Sequence, residues 1–233
     1  MAFTADDLLF GDSEMCKSWA RVRVPESCRG VEVVVGIDEA GRGSVLGSLI
    51  YTAAFWPVTE HEAICKLGYD DSKQVKEAER NRLAKGVKEH SSIGWAIAEL
   101  PPEMISEKML KTSPTSLNAI SYRSVVWMLE QIKNPSEANG FNPPIVKDLF
   151  IDTVGDPETY KSFLQRNLYS STDDTCSDWN YTIEKKADAT YKVVSAASII
   201  AKQMRDLSIK EWEYVDQDYQ DYQDYQDYQD YQL

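Results

Sequence analysis

Asp38 and Glu39 stand side by side at the end of the apolar run VVVGI, and Ala-Gly-Arg-Gly follows them. Asp152 closes a second apolar run, DLFI, and Asp188 comes after IEKKA. Each site reads as a carboxylate at a strand end. Carboxylates brought together raise one another's pKa and oppose folding. A divalent cation between them reverses that penalty. Mg²⁺ takes hard oxygen ligands in near-octahedral geometry and shares them with substrate phosphates. Two such ions about 4 Å apart activate a water and stabilise the leaving oxygen of a phosphodiester. Taken singly, a strand-end Asp is a turn former or a helix cap. The same placement three times over points to metal-assisted phosphodiester chemistry. Gly41 and Gly43 let main chain approach a ligand closely, and Arg42 can reach a phosphate; a tight hairpin turn with a solvated arginine is the plainer alternative.

Other chemistries are poorly supplied. Cys16, Cys28, Cys65 and Cys176 are scattered with no CxxC pair, which suits neither a zinc nor a disulfide framework and reads as four reduced thiols. His61 and His90 are the two histidines of the chain and read as helix-surface residues. The formal charge of −13 lowers the expectation of a nucleic-acid partner. Six of the acids fall in DQDYQDYQDYQDYQDYQL (216–233), which has no Lys or Arg, but the remaining body is still acidic. Any grip on nucleic acid must then come from local basic patches and metal ions. No apolar stretch approaches the roughly 20 residues of a membrane helix. The start, MAFTADDLLFGDSEM, is acidic where a secretion signal is basic. A soluble, intracellular protein is expected.

The elements that must position these residues follow from periodicity. VEVVVGIDEA (31–40) and SLIYTAAFWP (48–57) read as strands, antiparallel neighbours joined by the turn AGRGSVLG. KEAERNRLAKGVKE (76–89) reads as a helix and SSIGWAIAEL (91–100) as a third strand. Residues 113–134 have apolar side chains at helical spacing and a Ser or Thr to cap them. VKDLFIDTVGDP (146–157) reads as a strand, DPETYKSFLQRNL as a helix, WNYTIEKKADA (179–189) as a further strand, and 191–215 as a long helix with small residues on one face. The order predicts an α/β protein, a mixed sheet with helices packed on it. Asp-Tyr-Gln repeats every three residues from 218 to 232, a low-complexity segment for which disorder is the default.

GIDEAGRGSVLGS (36–48) resembles the signature GxDEAGRGPVxGP of type 2 ribonucleases H, the ribonuclease HII group. DSK (71–73), LN (117–118), IDTVGDPETY (151–160) and KADATYKVVSAASIIAK (186–202) resemble further blocks of that family in the same order. The DTVG and KADxxY forms are most similar to the eukaryotic catalytic-subunit branch. The resemblance implies a ribonuclease H-like mixed sheet flanked by helices, with an N-terminal extension (1–30), a catalytic domain (31–215) and a tail (216–233). It implies that Asp38, Glu39, Asp152 and Asp188 are catalytic and bind Mg²⁺ or Mn²⁺. It places sugar-phosphate contacts on Gly41, Arg42 and Gly43, and backbone-phosphate contacts on Ser72, Lys73, Asn118, Ser195, Ser198 and Lys202. The implied reaction is hydrolysis of RNA in RNA–DNA hybrids and cleavage 5′ of a ribonucleotide within duplex DNA, leaving a 3′-hydroxyl and a 5′-phosphate. The implied setting is replication and ribonucleotide excision repair in the nucleus, with two accessory subunits.

The chain departs from the family pattern in places. Ser44 and Ser48 stand for two usual prolines, and Lys192 for the proline after KADxxY. A block like DYGSGYPSDP, whose second tyrosine stacks by the ribonucleotide sugar, is replaced by DQDYQDYQDYQ. That replacement predicts metal binding with impaired junction specificity. The alternative is a non-catalytic homologue with a binding or assembly role.

Overall fold

The computed structural model describes residues 20–43, 47–69, 76–134, 142–153, 155–168 and 178–210. A single six-stranded sheet runs β1 (Ala20–Arg23), β4 (Gly94–Leu100), β3 (Leu49–Pro57), β2 (Glu32–Ala40), β5 (Ile145–Asp152), β6 (Asn180–Glu184) in spatial order. The first four strands pair antiparallel, whereas β5 and β6 run parallel to β2. The sheet is therefore mixed. The helices are α1 (His61–Cys65), α2 (Glu77–Glu89), α3 (Pro102–Leu110), α4 (Leu117–Lys133), α5 (Pro157–Leu168), α6 (Ala187–Thr190) and α7 (Lys192–Lys210).

Alternation along β2 splits the core into two layers, because successive side chains point to opposite faces. Val33, Val35 and Ile37 face α4 and α5, where they join Val125, Leu129 and Leu164. Val34 and Ala40 face the other way, toward α2 and α7, with Leu83, Val194 and Ala197. Both faces of β2 and β3 are covered, which is why their sequences are nearly continuous apolar runs rather than alternating ones. Gly36 is where α7 comes closest. A Cβ there would lie 2.3 Å from the carbonyl carbon of Val193, so the helix backbone rests directly on the strand. The small residues Ser195, Ala196, Ala197 and Ser198 allow that approach.

Several boundaries differ from the expectations. The sheet begins at Ala20, inside the segment expected to be an extension, because ARVR pairs with Trp95–Ala98 as a short edge strand. Arg23 secures it by donating to the carbonyls of Lys88 (2.6 Å) and His90 (3.1 Å). The expected strand 179–189 stops at Glu184, since its partner β5 ends at Asp152 and leaves nothing further to pair with. Asp188 is therefore not at a strand end but in the short helix α6. Helix α3 was not anticipated; Pro102 occupies its first turn, where the missing N–H costs nothing. Ser116 caps α4 by accepting from the Ala119 N–H at 3.2 Å. His61 opens α1 and His90 caps the end of α2, and both are half-buried. His61 accepts from the Trp56 indole (3.1 Å) and His90 from the Ser92 N–H (3.1 Å). Among the described residues no helix is long and apolar enough to cross a membrane. The DYQ tail lies outside the described residues.

Candidate metal centre

The neighbouring strands β2 and β5 end side by side, and this brings Asp38 close to Asp152. Beyond β6 the chain turns through Lys186, the only described non-glycine residue with positive φ (63°). A left-handed conformation costs a side-chain-bearing residue roughly 1–2 kcal/mol. Here it aims the Lys186 N–H at Asp152 Oδ1, 3.0 Å away, and starts the turn of helix that carries Asp188 back toward the sheet. Ser195 holds that turn from the other side by donating its hydroxyl to the Asp188 carbonyl. One carboxylate oxygen from each of Asp38, Asp152 and Asp188 lies within 4.8 Å of the other two.

These carboxyl groups are poorly solvated. Asp38 is 5 % and Asp188 2 % exposed. Burial pushes the Asp38 carboxyl up to about 7, aided by the charge of Asp152 and opposed by a hydrogen bond from Ser198. Burial also pushes Glu39 up to about 8, with Asp38 and Asp152 adding repulsion and Arg42 relieving it. Asp152 is raised by burial and by Asp188. An oxygen-only donor set that repels itself when empty fits a hard divalent cation, Mg²⁺ or Mn²⁺.

Glu39 belongs to the same cleft but not to the tight triad. As the next residue of β2 it points to the opposite face, across from Tyr51. The cleft, about 740 Å³, is lined by Asp38, Glu39, Asp152 and Asp188 and rimmed by Arg80, Lys185, Lys186, Lys202 and Arg205. An acidic floor within a basic rim is the electrostatic pattern that a metal-bridged phosphate backbone would match.

The turn after β2 is built as the glycines require. Gly41 has φ +91°, and a Cβ on it would fall 2.4 Å from the Ser48 carbonyl oxygen; Gly43 has φ +77° and open space around it. Between them Arg42 reaches α4, donating to Ser121 Oγ at 2.8 Å and to Asn118 Oδ1. Asn118, expected as a phosphate contact, thus holds the arginine. Ser195 and Ser198 are 2 % and 0 % exposed, so neither hydroxyl is presented to a duplex. Both face inward because α7 packs on Gly36 by that small-residue face. Lys202 lines the cleft. Ser72 and Lys73 lie outside the described residues. The rim residues Arg80, Lys185, Lys186 and Arg205 were not anticipated as site residues, although Lys186 opens the family block KADATY.

Residues 35–222 match the family profile described as ribonuclease HII. The chain belongs to the ribonuclease HII family. Among curated relatives, a ribonuclease H2 subunit of Homo sapiens is 37% identical over 194 residues, covering 83% of this chain and 60% of that one. Its Arabidopsis thaliana counterpart is 35% identical over 179 residues, covering 77% and 55%. The chain therefore spans about 60% or less of the length of these relatives. Among solved structures, ribonuclease H2 of Pyrococcus horikoshii superposes with TM-score 0.59 at 28% identity, covering 77% of this chain and 74% of that one. Ribonuclease HII of Archaeoglobus fulgidus, solved in complex with PCNA, gives 0.61 at 25% identity and the same coverages. The ribonuclease H-like fold expected from the resemblance is the fold observed, and the ribonuclease HII match runs across β2, β5, α6 and α7, the elements that build the cleft.

Proposed function

We propose that this chain is a metal-dependent endonuclease that hydrolyses the RNA strand of RNA–DNA hybrids and cuts 5′ of ribonucleotides embedded in duplex DNA, leaving a 3′-hydroxyl and a 5′-phosphate. The convergence of Asp38, Asp152 and Asp188 carboxylate oxygens within 4.8 Å carries this reading. These three and Glu39 are assigned as ligands of Mg²⁺ or Mn²⁺. When bound, two such ions would lower the pKa of an attacking water and offset charge on the leaving oxygen.

The chain's own residues do the rest. Gly43 carries no side chain and has open space on its Cβ side, so a ribose and its phosphate can approach the backbone there. Arg42, fixed by Asn118 and Ser121, holds its guanidinium at the cleft edge without having to be ordered on binding. The rim of Lys185, Lys186 and Arg205 supplies cations for flanking phosphates. A ribonuclease HIII of the same fold is known in complex with Mn²⁺, which is in keeping with this ion assignment. The curated relatives are named as one subunit of ribonuclease H2, which supports an assembly with further subunits.

The test is cleavage of two substrates, a continuous RNA–DNA hybrid and a duplex with one embedded ribonucleotide. Metal-dependent cleavage of both is expected, weaker at the single ribonucleotide because the GSGYP-type block is replaced. No cleavage of either, with the metal bound, would favour the second reading, a homologue that keeps the fold and serves in binding or assembly.

A further inference from the structure

Ser198 and Lys202 lie one turn apart on α7, under the cleft, and their hydrogen bonding has a direction fixed by chemistry. A lysine ammonium has donors and no acceptor. The 3.0 Å contact between Lys202 Nζ and Ser198 Oγ must therefore run from lysine to serine. Ser198 Oγ accepts that hydrogen bond and has one hydrogen of its own to give. It gives it to the Asp38 carboxylate. Ser198 is fully buried against the sheet, so its hydroxyl cannot swing out to water.

Asp38 receives a second fixed donor, the Glu39 N–H, at 2.8 Å on Oδ1. Two donors restrain the carboxylate, which also offers an oxygen within 4.8 Å of carboxylate oxygens of Asp152 and Asp188.

We propose that Lys202 and Ser198 form a directed hydrogen-bond relay that orients Asp38 for the cation, so that both act as positioning residues for metal binding rather than as contacts to nucleic acid. This rests on the reading of Asp38 as a metal ligand. Donors behind a ligand are worth about 10–100-fold in metal affinity.

The relay and simple electrostatics predict opposite signs for one substitution. Lys202 is a cation beside a cation site, so removing its charge should by Coulomb's law tighten Mn²⁺ binding. If the relay governs, losing the donor loosens Ser198 and weakens it. Mn²⁺ binding is measured by calorimetry on the full chain without nucleic acid, so a phosphate-contact role would leave it unmoved, and thermal unfolding is followed in parallel. Ser198→Ala is expected to weaken binding about 10–100-fold. Lys202→Met is expected to weaken it about 10-fold, and Lys202→Gln, which keeps a donor without the charge, should lie closer to wild type. Lys202 is only half-buried, so its variants decide the matter even if Ser198→Ala unfolds. Wild-type affinity in Ser198→Ala, or unchanged or tighter binding in Lys202→Met, overturns the relay while leaving the metal site standing. Absence of Mn²⁺ binding by the wild type would overturn both.

Discussion

Asp38 and Glu39 are consecutive residues that face opposite sides of the sheet. Asp38 pairs across from Thr52, whose hydroxyl donates to the Ala197 carbonyl of α7 at 2.6 Å. Glu39 pairs across from Tyr51, which is buried in the layer under α4. The two carboxylates thus reach the cleft from different layers and are not equivalent.

The inequivalence gives the first prediction. Asp38 sits in the 4.8 Å cluster and Glu39 does not. Asp38→Asn should weaken the tighter Mn²⁺ event by about 10-fold or more, and Glu39→Gln by less, in keeping with the scale for disturbed metal sites. Calorimetric titration of the two variants checks the order, and equal losses would contradict it.

Acidity gives the second. The folded Asp38 and Glu39 carboxyls stand at about 7 and about 8, above the ordinary carboxylate range near 4. The folded state therefore binds more protons than the unfolded state between these values. Stability of the metal-free protein must fall as pH rises from about 4 to about 8. The loss is absent below the unfolded pKa and complete above the folded one. Thermal unfolding at pH 5.5, 7.0 and 8.5 should show a declining Tm, and saturating Mn²⁺ should remove the decline because the cation favours the ionised forms. Mn²⁺ affinity itself should rise over the same interval.

Gly36 gives the third. A methyl placed there would sit 2.3–2.5 Å from backbone atoms of Val193 and Val194, which a side-chain rotation cannot relieve. Gly36→Ala should cost about 3 kcal/mol or more in urea unfolding, at the upper end of overpacking effects. Because α7 carries Ser198, Mn²⁺ affinity should fall with it.

The Arg42 clamp gives the fourth. Asn118 is exposed at the start of α4, so its loss disturbs little packing. A hydrogen bond to a charged group contributes about 1.5–3 kcal/mol. Asn118→Ala should lower kcat/KM for an embedded ribonucleotide about 10-fold or more, because Arg42 must then be ordered on binding, with Tm lowered by only a few degrees. A wild-type rate would remove Arg42 orientation from the account.

These outcomes bear on what the residues disclose unaided. The strands carrying VEVVVGIDEA and SLIYTAAFWP were legible because burial on both faces writes a continuous apolar run. ARVR was not, since an edge strand of four residues with two arginines has no such run, and PPEMISEKML hides a helix behind two prolines. The carboxylates were legible as a set because each adjoins a recognisable block. The path to Asp188 was misread: a strand was expected to run on where the partner strand had already ended. What could not be read was pairing at a distance. Arg42 meets Asn118 only through the approach of α4. Ser198 meets Asp38 only because α7 rests on Gly36; VVSAASIIA suited both a phosphate contact and close packing on a sheet, and the packing is what fixes the hydroxyl in the core.

The most direct test of the metal centre is an anomalous-scattering map of crystals grown or soaked in Mn²⁺, recorded near the manganese edge. The account predicts a peak within coordination distance of Asp38, Asp152 and Asp188 together. Manganese bound elsewhere, or these three carboxylates ordered around water alone at saturating metal, would contradict it.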